Sequence, residues 1–512
     1  MVIASDKLII YDGPCVTYKY EWDQWVPGST PMTGDKSATR AGSFQQERDQ
    51  QRRHNPDQCS WLGRTHKNQP QWNALGAGSL IFVSGGMSLA WGAGFAAHSM
   101  HVELLQLTLH MQVCWYGAAL LGAVLSAVLT HRTPQRPVYV ASSCLVLICG
   151  MLYLTLPEQP KAIIAARYLD GLANGLVFVP TLSTVGELSV CEMRGIFSAS
   201  LEQLSYNFGI FILLSYTAIW HSGWNVTIVA DQVHGLLSIV YGVVALALAL
   251  TCCVESPVYL LLRRSEQAAV DALRHLQRPF VVTCETFLLL DEHKRYVAAN
   301  RDLSWWQSLQ RGLVPLIKII AHRSQYALSL TNVVWRALYE TAVELTPHTH
   351  TWPYVVFGTL RWSGSICVVF LMDSGGRKKP SLFGTFAGGV FAIAFASLLD
   401  RVPRMVSALT ILFFFQFFAG VAHAASAVYL TEAFPLAVKP YLVALVYIAE
   451  LMIRIGCCMV TPTHVDISIY FYVLGGMSLS FFLLGIFCLP ETRLTTLAKA
   501  HFKIRKWFNE DF

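Results

Sequence analysis

Twelve long apolar runs dominate this chain and restrict the folds that are open to it. A helix needs about 20 apolar residues to cross a bilayer, and the candidates centre near Ser84, Tyr116, Val146, Val177, Gly209, Val243, Val334, Ser365, Val390, Phe417, Leu451 and Phe481. Several of these runs are weak, notably the one near Val334. The 512 residues are 54% hydrophobic and only 14% charged, too apolar for one water-soluble core. Because open sheets and irregular backbone cannot face lipid, the sequence predicts an all-α membrane protein with twelve transmembrane helices.

A charge pattern occurs twice, once in each half of the chain. Glu187 precedes Arg194 by seven residues, and Glu432 precedes Lys439 by seven. Each acid ends an apolar run and each base begins the next. The duplication predicts two pseudo-symmetric six-helix bundles, the construction that lets one bundle rock against the other around a central polar pocket.

The distribution of basic residues predicts how the helices cross the membrane. If odd-numbered connections lie outside, the outer loops hold only three of the 38 basic residues, Lys161, Arg401 and Arg404. The positive-inside rule then places both termini in the cytosol. The glycosylation sequon Asn225-Val226-Thr227 falls in an outer loop, in agreement. Because the net charge of +6 is spread over many loops, it does not indicate nucleic-acid binding.

The polarity of the chain divides it into five segments. Residues 1–74 read as a disordered cytosolic tail, whose aromatic residues could dock onto a cytosolic partner. Residues 75–254 and 322–490 carry the two bundles. Residues 255–321 form a helical cytosolic linker, and residues 491–512 form a second cytosolic tail.

Two motifs inside the halves carry a family resemblance. Arg167, Gly171 and Gly175 stand at four-residue intervals in the fourth apolar run, where small residues let helices approach closely. The segment from Asp373 to Lys378 reads Asp-Ser-Gly-Gly-Arg-Lys and connects the eighth run to the ninth.

Three further motifs follow at the ends of apolar runs. Glu255-Ser-Pro follows the sixth run, Tyr429-x-x-Glu432-x-Phe-Pro with Lys439 follows the tenth, and Pro-Glu491-Thr follows the twelfth. Together and in this order, the motifs resemble those of the major facilitator superfamily, and within it the sugar porters, which include the facilitative glucose transporters. The chain looks like a divergent member.

The resemblance implies a gate at the cytosolic surface. In the family these charges pair there and hold the inside shut while the outside is open, and ion pairs that exist in one state only make a bistable gate. The implied gate residues are Glu187, Arg194, Glu255, Asp373, Arg377, Glu432, Lys439 and Glu491. One departure is that residues 131–136, the first-half counterpart of the Asp373 loop, contain no Asp and no Gly-Arg-Arg.

The resemblance also implies a solute site with altered chemistry. Gln203 matches a glutamine that contacts sugar in the family, and its amide suits hydroxyl groups. Counted without gaps from the flanking motifs, Arg336, Arg361 and Glu450 replace other sugar-contact residues. These charges either line a cavity for an anionic, zwitterionic or modified sugar-like solute, or form ion pairs such as Arg336–Glu340 and Glu450–Arg454. Local pairing leaves Arg361 without a partner on its own helix.

The predicted function is transport of a sugar or related small polar solute by alternating access. Uncoupled, facilitative movement is the default because the first apolar run contains no acid, with Glu202, Glu340 and Glu450 as alternative proton carriers. No pattern indicates a catalytic residue, a metal site, a cofactor or a disulfide framework, so an enzyme is not expected. The expected membrane is the plasma membrane. The alternatives are a carrier of charged solutes and a non-transporting sensor or scaffold that keeps the fold.

Overall fold

A computed structural model describes eight ranges of the chain: residues 61–92, 109–130, 132–157, 159–221, 228–345, 351–399, 405–460 and 463–508. Most of the N-terminal tail and the sequon at Asn225 lie outside them. Among the described residues the chain is helical and contains no strand. The described residues form two compact units, one within residues 1–72 and 257–294 and a larger one within residues 73–256 and 295–512.

The smaller unit consists of short polar helices. These are Trp61–Lys67, Pro257–Leu262, Glu266–His275 and the beginning of Cys284–Arg301. Ala269, Leu273 and Leu290 form its buried apolar cluster. Glu266 pairs with Lys294 at the surface. The helical character predicted for the segment after Glu255 is present in these residues.

The larger unit contains the membrane spans, numbered here in chain order. Ten continuous helices among the described residues are long and apolar enough to cross a membrane. They are span 1 (Gln69–Gly92), span 2 (Leu109–Leu129), span 3 (Gln135–Thr155), span 4 (Pro160–Leu188), span 6 (Ala230–Thr251), span 8 (Trp352–Gly375), span 9 (Lys378–Leu399), span 10 (Met405–Glu432), span 11 (Lys439–Cys458) and span 12 (His464–Cys488).

Spans 5 and 7 are interrupted helices. Span 5 begins as Arg194–Ala199, loosens into a π-helix at Ser200–Leu204, and continues as Ser205–His221. Span 7 consists of Trp305–Leu328 and Asn332–Leu345, separated by three non-helical residues. With these two, the part of the chain that the structure describes contains twelve spans, and the predicted fold class is confirmed. Neither segment of span 7 is both long and apolar enough to be a candidate span by itself, which agrees with the weakness of its apolar run.

The break in span 7 leaves backbone carbonyls that lipid could not satisfy. Side chains of the second half donate hydrogen bonds to these carbonyls. Gln416 donates its amide to the carbonyl of Ser329 at 3.2 Å, and Arg454 donates to the carbonyl of Leu330 at 2.9 Å. Broken helices lined by polar groups are typical of solute sites in carriers.

Spans 1–6 form the first half of the larger unit and spans 7–12 form the second. Within the first half, span 4 lies tightly against span 2, because a side chain at Gly175 would overlap the carbonyl oxygen of Ala119. The two halves meet where span 2 packs on span 11 and where span 5 packs on span 8. Buried side chains from both halves, including Leu214 and Trp335, join in one apolar cluster.

Candidate functional site

A buried ion pair joins the two halves at one end of the larger unit. Lys439, at the start of span 11, lies 2.9 Å from Glu187, at the end of span 4. Ser256 donates its hydroxyl to the second oxygen of Glu187 at 2.6 Å. Both charges are almost completely buried. We call the ion pairs at this end the latch.

A second part of the latch centres on Glu432, at the end of span 10. Arg377 lies 2.6 Å from its carboxylate, and Arg194 of the first half lies 3.5 Å from it. Burial alone would lower the pKa of Arg377, but the Glu432 carboxylate raises it above the ordinary value. Arg377 therefore stays charged, and Glu432 holds one cation from each half.

Three further predicted gate acids accept hydrogen bonds from backbone amides. Asp373 accepts the amide of Ile196 at 3.0 Å, which is another contact between the halves. Glu491 accepts the amides of Arg377 and Lys378 at 2.9 and 3.1 Å. Amides at a helix start carry partial positive charge, so a carboxylate there is stabilised.

Glu255 has the same role in the first half that Glu491 has in the second. It accepts the amide of Gln135 at 3.0 Å, at the start of span 3. The structure therefore brings all eight predicted gate residues to one end of the unit. Cross-half contacts involve Glu187, Lys439, Arg194, Glu432 and Asp373.

The C-terminal helix Leu497–Arg505 also packs at the latch. The Nδ1 atom of His501 donates to the carbonyl of Ala433 at 2.7 Å. Burial lowers the pKa of His501 below its ordinary value, because the charged ring would lose its hydration. His501 is therefore neutral where this helix is docked.

An arginine at the centre of the unit bridges carboxylates from both halves. Arg323 of span 7 pairs with Glu202, in the π-helix of span 5. Its guanidinium also lies 2.7 Å from Glu450 of span 11. Arg323 is 1% exposed. A charge this deep is costly unless it is paired, and here two acids hold it.

Glu450 is shared with a second arginine. Arg454, one helical turn further along span 11, lies 3.0 Å from it. The predicted local pair is therefore present, but Glu450 also bonds to Arg323. Tyr326 lies among these charges, with the guanidinium carbons of Arg323 and Arg454 each 5.1 Å from its ring centre.

Arg361 of span 8 is the third arginine at the Tyr326 ring, 5.6 Å from its centre. Its guanidinium donates to Asn207 of span 5 at 3.0 Å and to Gln416 of span 10 at 2.7 Å. It also donates to the hydroxyl of Ser329 at 3.2 Å. No described carboxylate lies within 4.0 Å of it, so all its acceptors there are neutral. We call Glu202, Arg323, Arg361, Glu450 and Arg454 the central cluster.

The other two residues predicted for the solute site have different surroundings. Gln203 is buried beside Glu202 and donates its amide to that carboxylate at 3.1 Å. Arg336 instead has a side chain that is 51% exposed, and it pairs with Glu340 at 2.9 Å. The structure thus brings Gln203, Arg361 and Glu450 near the breaks in spans 5 and 7, and places Arg336 in the local pair that the sequence left as an alternative.

Sequence reasoning missed Arg323, which it assigned to the region where the linker ends. It also missed Asn207, Gln416 and Ser329 as partners of Arg361. One signal was available: Glu202 and Glu450 both lie in apolar runs, and Arg454 alone could not balance two buried acids.

A separate polar cluster lies inside the first half. Asp170 of span 4 accepts from Ser84 and from the Trp115 indole, both at 2.7 Å. Asp231 of span 6 accepts from the Trp91 indole at 2.9 Å. These two acids obtain their hydrogen bonds within the first half.

The polar pocket expected between the halves is filled in this state. Arg323 and Arg361 reach from the second half to Glu202 and Asn207 in the first. Near the other end, Asn332 of span 7 donates to Gln112 of span 2 at 2.6 Å. A small cavity lies within the second half, beside Gln325, Ser329 and His423. The halves therefore touch near both ends and at the centre.

Comparison with solved structures identifies related folds. XylE, described as a proton:xylose symporter and solved with 6-bromo-6-deoxy-D-glucose, is 17% identical, with a TM-score of 0.67 over 83% of this chain and 98% of that chain. A partially occluded inward-open form of XylE from E. coli is 17% identical, with a TM-score of 0.61 over 83% of this chain and 99% of that chain. The inward-open form of XylE is 15% identical, with a TM-score of 0.58 over 84% of this chain and 98% of that chain. These likenesses support the fold.

A search of curated proteins found no match to this chain. A family model described as "Sugar (and other) transporter" matches residues 77–503, which include all twelve spans except the first residues of span 1. The matched residues include the eight predicted gate residues and the central cluster. The match agrees with the resemblance that the motifs carry. The chain belongs to the sugar transporter family of the major facilitator superfamily.

Proposed function

We propose that this protein moves a sugar or related small polar solute across a membrane by alternating access. The observation that carries the proposal is that buried ion pairs connect the halves at the latch and again at Arg323. Such pairs cost desolvation in the closed state and can separate only when the halves part. They supply the two-state element that a rocking carrier needs.

Unsatisfied acceptors at the break in span 5 favour a hydroxyl-rich solute. The Oε1 atom of Gln203 and the Oε2 atom of Glu202 are buried, and neither has a hydrogen-bond partner among the described residues. Leaving a buried acceptor unpaired costs about 1–3 kcal/mol. Hydroxyl groups of a sugar would donate to both atoms when the halves part around it. Gln203, Arg361 and Glu450 are the residues proposed for the site, and Arg336 remains in its local pair.

In the proposed cycle, the latch faces the cytosol and both termini are cytosolic. Solute enters from the opposite side when Asn332 and Gln112 separate. It displaces the contacts of Arg323 and Arg361 with the first half, and the latch then opens. The plasma membrane is the proposed location, because the sugar porters that the chain resembles most often act there.

We propose uncoupled movement as the default. Glu202 and Glu450 both pair with Arg323, and Glu450 also pairs with Arg454. Both acids therefore already have cationic partners in this state and do not need a transported proton for charge balance. A protonatable Glu202 remains the alternative if its pair with Arg323 breaks during the cycle.

Uptake into proteoliposomes tests the proposal. Purified protein reconstituted with a panel of radiolabelled hexoses, pentoses and polyols should accumulate at least one of them until the concentrations equalise. An imposed pH gradient should leave the final level unchanged, whereas a proton-coupled carrier would concentrate the solute. A non-transporting sensor would bind a solute, seen as thermal stabilisation, with no uptake of any member of the panel.

A further inference from the structure

The central cluster carries more positive than negative charge. Arg323, Arg361 and Arg454 contribute three positive charges, whereas Glu202 and Glu450 contribute two negative ones. All three guanidinium groups lie within 5.6 Å of the Tyr326 ring centre. All five charged residues are buried. The described residues thus leave one positive charge in excess near the middle of the membrane.

Arg361 carries that excess. The two acids of the cluster bind Arg323 and Arg454, while Arg361 donates hydrogen bonds to the neutral oxygen atoms of Asn207, Gln416 and Ser329. An isolated charge at the centre of a membrane helix is costly. Neutral acceptors reduce that cost but do not remove the charge.

The first-half acids do not supply the missing charge by contact. Asp170 and Asp231 receive their hydrogen bonds from Ser84, Trp115 and Trp91, all in the first half. Arg167 lies in the same half and donates to the carbonyls of Met111 and Ser88. Among the described residues, none of these hydrogen bonds reaches Arg361.

We propose that Arg361 binds the carboxylate of an anionic sugar-like solute, so that the preferred substrates are sugar acids. This inference rests on the proposed transport function and names its substrate class. A guanidinium donates two parallel hydrogen bonds to a carboxylate, a stronger and more selective contact than any neutral acceptor makes. The carboxylate replaces Asn207 or Gln416 as the acceptor.

The same helix offers contacts for the rest of the molecule. Gln203 and Asn207 are four residues apart on span 5, about 6 Å along a helix axis. The unpaired Oε1 atom of Gln203 and Oε2 atom of Glu202 accept from sugar hydroxyls, while Arg361 takes the carboxylate beside Asn207. One solute with hydroxyl groups and a carboxylate therefore supplies donors for the two unpaired acceptors and a negative charge for Arg361.

A matched pair of solutes tests this on the wild-type protein. Glucuronate and glucose differ only at one carbon, and thermal stabilisation of detergent-purified protein gives the affinity for each. The carboxylate should lower the half-saturating concentration at least tenfold, as expected for a charge-assisted hydrogen bond. Equal response to both, preference for glucose, or response to neither overturns the inference.

Substitutions assign the preference to Arg361. Arg361→Gln should weaken glucuronate binding about tenfold to a hundredfold and remove the preference for glucuronate over glucose, whereas Arg361→Lys keeps the charge and should keep the preference. Lys161→Gln removes an exposed cation in the first turn of span 4 and serves as the control. If Arg361→Gln does not fold, the comparison of the two solutes on the wild-type protein and on Arg361→Lys still decides.

Two further outcomes separate the possible explanations. If chloride at physiological concentration neutralises Arg361, stabilisation will follow chloride in a sulfate buffer without any sugar acid, and the inference falls. If the protein takes up neutral sugars and shows no preference for glucuronate over glucose, the inference is wrong and the proposed transport function is supported. Binding of glucuronate without uptake of any solute supports the inference and overturns the proposed transport function.

Discussion

The pair between Glu187 and Lys439 offers a direct test of the latch. Glu187→Gln keeps the size of the side chain and the hydrogen bond from Ser256 but removes the charge opposite Lys439. Lys439 is 1% exposed, so it is left as a buried and uncompensated cation in the closed state. Removing one partner of a buried ion pair costs about 3–5 kcal/mol.

That cost applies only while the halves are closed at this end, because water hydrates Lys439 once they part. The equilibrium should therefore shift toward the latch-open state by about 3 kcal/mol, a factor of roughly 150 at 1.36 kcal/mol per tenfold change. The amide of Ile196 reports this shift, since it is bonded across the halves to Asp373.

Hydrogen exchange measured by mass spectrometry reads the opening. The peptide containing Ile196 should exchange on the order of a hundredfold faster in Glu187→Gln, while peptides inside span 2 keep the wild-type rate. Glu266→Gln is the matched control, because it removes the same charge from an exposed pair with Lys294. An unchanged rate at Ile196 in a folded Glu187→Gln protein would refute the latch, and faster exchange throughout would mean general unfolding.

Two further predictions concern the C-terminal helix and the packing of span 4. Burial lowers the pKa of His501. The contribution of its neutral ring to docking of the C-terminal helix is therefore complete above a pH of about 6.5 and is lost as the pH falls below that value. Limited proteolysis of the C-terminal helix should become faster in acid, and His501→Asn, which keeps a donor for the carbonyl of Ala433, should abolish that pH dependence. Gly175→Ala should lower the melting temperature, because the added carbon overlaps the carbonyl of Ala119 at a cost of about 1–3 kcal/mol; Gly117→Ala, which meets nothing within 4 Å, should not.

The latch could be predicted from the sequence because its residues stand at fixed distances from the ends of apolar runs. Glu187, Glu432 and Lys439 are placed by the helices that they end or begin, so a repeated spacing is enough to bring them to one surface. The same holds for Glu255 and Glu491, which follow the last span of each half and accept the amides of a neighbouring helix start.

The central cluster could be predicted only in part. Arg361 and Glu450 were found because they replace uncharged residues of the family pattern. Arg323 was missed because its partners, Glu202 and Glu450, are 121 and 127 residues away along the chain. No local pattern indicates which of several buried charges will face one another across two bundles.

The amino-acid sequence alone determined the membrane location, the twelve spans and the duplication, because these follow from apolar run length and repeated spacing within single helices. Only the tertiary structure decided that span 7 breaks at Ser329, that Arg323 joins the halves, and that Arg361 has neutral partners. Those outcomes depend on which helix faces pack together. The free energy of burying a charge there depends on partners that lie far away along the chain.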